Sequence, residues 1–292
     1  MAERAKGRGN DEYKRGNYSA AVRLYSEAVE LMPKNVTYRI NRAAAYLNLE
    51  EPSRALDDCH AALAEQPQLT KAHVRASKAM ILQGQLSDAR RQLELAQTFP
   101  TSDATVTNEL ASLTQLEGNL RSAKDALAQE SGAAAREALR LFTDLSQRCP
   151  CSEAVACMQM EALIKARPQQ GPSQVVAESA RWLRKSSDSP DLLCVRGKAL
   201  YATGQLEAAL KHFTEALRLD PDHAGSKAMR QRVKDFERIK KAGNEAFSSG
   251  RYAEAIEKYS EAIAVEPDNV DLQLTLYTNR ATAHFKASNI AA

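Results

Sequence analysis

AKGRGNDEYKRGNYSAAVRLYSEAVELMPKN, residues 5–35, decides the fold of this chain. Small residues stand at Gly9, Ala21 and Ala28, larger ones at Tyr13, Tyr25 and Leu31, and a proline at Pro33. Gly16-Asn17 between the two halves is a turn signal. The spacing predicts a helix, a tight turn, a second helix and a break. Small residues let two antiparallel helices approach closely, and the proline ring blocks continuation of the second helix.

The pattern returns along the chain. Pro33 is answered by Pro67, 34 residues on, and in that frame Ala21 maps to Ala55, Tyr25 to Cys59 and Ala28 to Ala62. Gly84, Ala89, Leu93, Ala96 and Pro100 make a third unit. Gly197, Gly204, Ala209, Phe213, Ala216 and Pro221 make another, and Gly243, Gly250, Ala255, Tyr259, Ala262 and Pro267 one more. A period of 34 in a helix–turn–helix frame resembles the tetratricopeptide repeat over nearly the whole chain. The resemblance implies an all-α fold, a right-handed superhelical solenoid in which each repeat packs on its neighbours.

Within that frame repeats are expected at 3–34, 37–68 and about 70–102. Residues 103–128, with Leu110, Leu113, Leu116 and Leu120 at helical spacing, read as a spacer helix capping the first block. A degenerate repeat is expected at 129–152, turning at Gly132, with Ala138, Phe142 and Leu145 in its second helix and Pro150 as its stop. Another is expected at 153–187, with a lengthened loop at 167–174 (RPQQGPSQ) and Trp182 in the core or groove. A further repeat spans 190–221, and a long charged helix leads through AGSKAMRQRVKDFERIKKAGNEAF into the next. An eighth repeat begins at Leu272 and lacks its second helix, so the chain is read as a fragment or a natural short form of a longer protein. Three blocks follow: 1–128 with its capping helix, 129–224 with the degenerate repeats, and 225–292 with the linking helix and the truncated repeats.

Bulk composition narrows the function classes. A net charge of +3 (40 Lys and Arg against 37 Asp and Glu) gives no global field for nucleic acid. No stretch approaches the ~20 apolar residues that cross a bilayer, and residues 1–15 lack the apolar segment of a signal peptide. The five cysteines read as reduced thiols, with Cys149-Pro-Cys151 as turn residues, because that spacing matches no standard redox or zinc pattern. His60, His73, His212, His223 and His284 show no metal-ligand spacing. No catalytic constellation, cofactor site or metal site is assigned. The expectation is a monomeric, non-enzymatic protein of the cytoplasm, with the nucleus also open, and without nucleic-acid or membrane partners.

Polar residues on the first helices stand apart from this background. Lys6 and Asn10 are four apart on one helical face, as are Lys71 and Arg75, and Asn41 lies in INRAAAY of the second repeat. Asparagine amides donate to a carboxylate, and Lys and Arg add charge-assisted bonds. This set is similar to the two-carboxylate clamp of chaperone-binding tetratricopeptide proteins. The resemblance implies that all five face one concave groove. It also implies that they bind the terminal Glu-Glu-Val-Asp of heat-shock chaperones of the 70-kDa and 90-kDa classes. Tyr13, Asn17, Ala44 and Lys78 are flanking candidates.

A partial second clamp repeats the spacing with Lys240, Asn244 and Asn279, its expected two cations falling beyond residue 292. In the middle repeats Val195-Arg196-Gly197 replaces the asparagine–arginine pair, so no clamp is expected there. Two clamp blocks around degenerate repeats, with a long helix before the second, resemble the DnaJ-like tetratricopeptide co-chaperones of the J-domain type. Hop-like adaptors are the second resemblance. No His-Pro-Asp tripeptide occurs in the chain, so no stimulation of chaperone ATP hydrolysis is assigned. The alternative is a general scaffold whose groove takes an internal peptide or helix of another protein.

Overall fold

The computed structural model describes residues 1–167, 169–265 and 269–290. Among them lie fifteen α-helices and no strand. They are α1 (Ala2–Lys14), α2 (Tyr18–Leu31), α3 (Val36–Asn48), α4 (Pro52–Glu65), α5 (Thr70–Leu82), α6 (Leu86–Gln97) and α7 (Ala104–Ala128). There follow α8 (Gly132–Arg148), α9 (Glu153–Ala166), α10 (Gly171–Leu183), α11 (Pro190–Ala202) and α12 (Leu206–Leu219). The last three are α13 (Ala224–Ser248), α14 (Tyr252–Val265) and α15 (Val270–Ile290). The helices fall into two compact units, Met1–Glu130 with Glu137–Gln159, and Ser131–Arg136 with Met160–Ala292. Pro168 and Pro267, expected as a loop residue and a helix stop, lie outside the described residues.

Within each unit the repeat residues sit where the sequence reading puts them. Ala21, Ala28, Ala55, Ala62, Ala89 and Ala96 are all fully buried, as are Ala209, Ala216, Ala255 and Ala262. Leu31 is the exception: it is half exposed at the end of α2. Hairpin turns use Gly16, Gly84, Gly204 and Gly250 at φ between 74° and 80°, where an L side chain is strained. The second repeat places Glu50 at that position with φ 55°, so its turn carries strain that its neighbours avoid.

Gly9 is required for a different reason. A Cβ there would lie 2.7 Å from the Tyr25 ring, so glycine lets α2 press an aromatic flat against α1. Gly243 holds the same relation to Tyr259 at 2.8 Å, and Gly197 to Phe213 at 2.5 Å. Gly9→Ala is expected to destabilise the first unit by about 1–3 kcal/mol, the usual cost of overpacking a well-filled contact. A denaturant melt reads it, and an unchanged midpoint would mean the hairpin accommodates the methyl without moving Tyr25.

A buried ion pair joins the two helices of the second repeat, and its arginine reaches back to the first. Arg42 on α3 donates through Nε and Nη2 to the two oxygens of Asp58 on α4, both at 2.7 Å, and through Nη1 to Ser26 Oγ on α2 at 3.0 Å. Asp58 is only 2% exposed, and Arg39 approaches it at 3.5 Å. The carboxylate partner raises the pKa of Arg42, so the pair is held charged.

Two local expectations are corrected. Gly132 does not turn a hairpin: it begins α8, which runs unbroken to Arg148. Ala133–Ala135 favour helix, and Ser131 caps its start by accepting from Ala134 N–H at 3.0 Å. Its last residue, Arg148, donates to Ser112 of α7 at 2.9 Å. Val106, Leu113, Leu116, Ala123 and Ala126 bury one face of α7. The lengthened loop at 167–174 is also shorter than expected, because Gly171 and Pro172 open α10. Proline is tolerated in a first helical turn, where its missing N–H has no intrahelical partner. Trp182 lies on α10, half-buried, with Lys185 Nζ over its ring at 5.7 Å.

Candidate functional site

The first helices of the first three repeats, α1, α3 and α5, carry the five residues singled out above. Gly9 brings the Tyr25 phenol to the next residue, and its hydroxyl donates to Asn10 Oδ1 at 2.8 Å. Asn41 Nδ2 donates to the same oxygen at 3.4 Å. Burial pushes the Tyr25 pKa up to about 12, which keeps the phenol a donor at any physiological pH. The Asn10 carbonyl oxygen is thus taken by two donors, and its remaining capacity is the two N–H bonds of the amide. An amide fixed in that sense presents donors to an anion.

Arg75 joins this cluster from α5, where its Nη1 donates to the carbonyl of Ile40, the residue before Asn41, at 2.5 Å. Burial lowers the Arg75 pKa from its ordinary value, yet a guanidinium keeps its charge in proteins. Among the described residues no carboxylate comes within ion-pairing distance of Arg75 or of Lys71 one turn earlier. A half-buried cation with a single neutral partner gains strongly from a carboxylate.

Lys71, Arg75, Tyr13, Ala44 and Lys78 line one groove of about 1510 Å³ in the first unit. Lys6, Asn10, Asn41 and Asn17 lie outside that lining. Lys6 is paired with Glu3 at 2.5 Å, and Glu3 also accepts from Tyr38 at 2.6 Å. Asn17 donates to Glu12 at 2.7 Å in the first hairpin turn. Tyr13 accepts from Asn48 at 3.0 Å, and Lys78 pairs with Glu109 of α7 at 2.8 Å.

In the second unit the same arrangement is built again. Tyr259 donates to Asn244 Oδ1 at 2.9 Å, and Asn279 Nδ2 lies 3.5 Å from that oxygen. Arg280 donates to Ser260 as Arg42 does to Ser26. The tyrosine orienting each asparagine is the functional residue that the sequence reading took only for packing. Its signal was present, since both pairs are 15 residues apart. In the middle repeats Phe213 packs on Gly197 without a hydroxyl, and the asparagine position holds Lys198, bonded to Glu161 at 2.6 Å. Cys149-Pro-Cys151 forms a docking turn: Cys151 N–H donates to the Leu82 carbonyl at 3.0 Å. Burial pushes the Cys149 thiol up to about 11.

Comparison with known proteins adds to this geometry. The TPR repeat family profile matches residues 9–49 and 243–287, and the tetratricopeptide repeat profile matches residues 190–223. The chain is 28% identical over 287 residues to the DnaJ homolog subfamily C member 7 homolog of Dictyostelium discoideum, covering 96% of this chain and 52% of that protein. It is 27% identical over 298 residues to the TPR repeat-containing thioredoxin TTL4 of Arabidopsis thaliana, covering 98% of this chain and 42% of that protein. The chain therefore spans about half the length of the curated relatives it matches. The crystal structure of the P58(IPK) TPR domain superposes with a TM-score of 0.58 at 21% identity, covering 98% of this chain and 79% of that one, a likeness of fold.

Proposed function

This chain is a tetratricopeptide-repeat protein, and from that premise we propose that it is a co-chaperone adaptor. It binds the acidic C-terminal tails, ending Glu-Glu-Val-Asp, of heat-shock chaperones of the 70-kDa and 90-kDa classes. The observation that carries this reading is the Asn10 amide, oriented by Tyr25 and Asn41, its N–H bonds without an acceptor among the described residues, and linked through Asn41 and the neighbouring Ile40 carbonyl to the half-buried Arg75. Amide donors beside two cations suit a chain terminus, which offers an α-carboxylate and an acidic side chain together. Lys6, Asn10, Asn41, Lys71 and Arg75 form the main site. Lys240, Asn244 and Asn279 form a weaker second one that brings a second tail to the same protein. The setting is cytoplasmic.

Titration with a tail peptide in free-acid and C-terminally amidated forms tests the reading. Micromolar affinity is expected for the acid, about −7 to −8 kcal/mol, with amidation costing at least about tenfold. Raising salt from about 0.1 M to about 1 M shortens the Debye length from about 10 Å to about 3 Å and is expected to weaken the acid form further. Equal affinity for both forms would replace the clamp with a general groove that reads an internal segment.

A further inference from the structure

We infer that Arg148, on the last turn of α8, is a specificity-determining residue of the groove. It takes an acidic side chain three to four residues upstream of the ligand's C-terminus. The inference rests on the tail-binding reading above.

Register along the groove places the residue. The Thr70 and Thr101 hydroxyls share a hydrogen bond at 2.6 Å, and Lys78 pairs with Glu109 at 2.8 Å. Thr101 lies just before the start of α7 and Glu109 within it, so α7 runs in the same direction as α5 with Glu109 at the level of Lys78. Arg148 donates to Ser112 of α7 at 2.9 Å. At 1.5 Å per residue, Ser112 stands about 9 Å beyond the level of Arg75 and about 15 Å beyond that of Lys71. An extended peptide covers that distance in roughly three to four residues. The groove is lined by α5 residues as far as Leu82, so a ligand anchored at Lys71 and Arg75 and extending along α5 passes Arg148.

Charge favours an acid at that point. Four cations line the groove (Lys71, Arg75, Lys78, Arg148) against two carboxylates (Asp103, Glu109). Lys78 is neutralised by Glu109, whereas Arg148 is exposed, bonded to a hydroxyl, and among the described residues without a carboxylate in ion-pairing range. Its helix end is also held in place. The turn that follows is pinned to the end of α5 by the bond from Cys151 N–H to Leu82. An arginine on a fixed backbone offers a planar fork for a carboxylate. In a Glu-Glu-Val-Asp tail, the first glutamate stands at the required distance from the terminus.

A charge swap in the intact chain tests this. Arg148→Glu is expected to weaken a free-acid tail ending Glu-Glu-Val-Asp by about tenfold, a surface ion pair lost and a repulsion gained. A peptide with lysine in place of the first glutamate is expected to bind that variant within about twofold of the original pair, and Arg148→Gln to show an intermediate loss for the glutamate peptide alone. An equal loss for both peptides, or no loss, overturns the assignment. If loss is absent while binding still requires the free C-terminus, Arg148 alone is refuted. Indifference of the unsubstituted chain to amidation refutes the tail reading together with it.

Discussion

Arg75→Ala is expected to weaken binding of a free-acid chaperone-tail peptide by about 10- to 100-fold, the range of a lost hydrogen bond to a charged group. Lys71→Ala is expected to cost about fivefold at most. The difference comes from burial. Arg75 is half-buried and has lost part of its hydration, whereas Lys71 is exposed and its pairing is screened by water. Secondary structure should survive both changes, because Arg75 contributes a single bond to a backbone carbonyl of α3 and Lys71 contributes none that shapes the hairpin. Calorimetric titration beside far-ultraviolet circular dichroism checks both halves. Unaltered affinity in both variants would remove the clamp from the account of this protein.

The second large effect concerns stability. Arg42→Ala removes both short bonds to Asp58 and leaves a carboxylate 2% exposed with Arg39, at 3.5 Å, as its remaining cation among the described residues. Stripping one partner from a buried ion pair typically costs about 3–5 kcal/mol, and the residual Arg39 contact places the expected loss near the lower end. The cost is electrostatic, so the double variant Arg42→Met/Asp58→Leu, which leaves no orphan charge, is expected to recover most of it. The denaturant midpoint of the first unit provides the measurement. A double variant no more stable than Arg42→Ala would mean that the guanidinium over Tyr46, its Cζ 5.9 Å from the ring centroid, carries the stability instead.

The sequence shows where hairpins form because the local requirement is steric and strict. A glycine under a ring at Gly9, Gly197 and Gly243, an alanine at each closest approach, and a left-handed glycine at most turns leave a record at fixed spacing. The record fails where another residue meets the requirement. Glu50 turns the second hairpin at a strained φ, and residues 129–131 lead from α7 into α8 with no glycine among them. Helix starts were harder to read for the same reason. The Gly171-Pro172 pair that signals a loop in sequence also suits a first helical turn, and only the surrounding packing separates the two.

For the candidate site, the residue types were legible and their relations were not. Lys6, Asn10, Asn41, Lys71 and Arg75 could be picked out because side chains four apart share a helical face and a period of 34 superposes successive repeats. That Tyr25 fixes the direction of the Asn10 amide, that Lys78 is neutralised by Glu109, and that Arg148 enters the groove of α5 are contacts between separate helices. Local spacing determined the repeats, because helix geometry links residues within a few turns of one another. The tertiary structure alone decided which donors remain free for a ligand, because a hydrogen-bond partner can come from any helix that folding brings alongside.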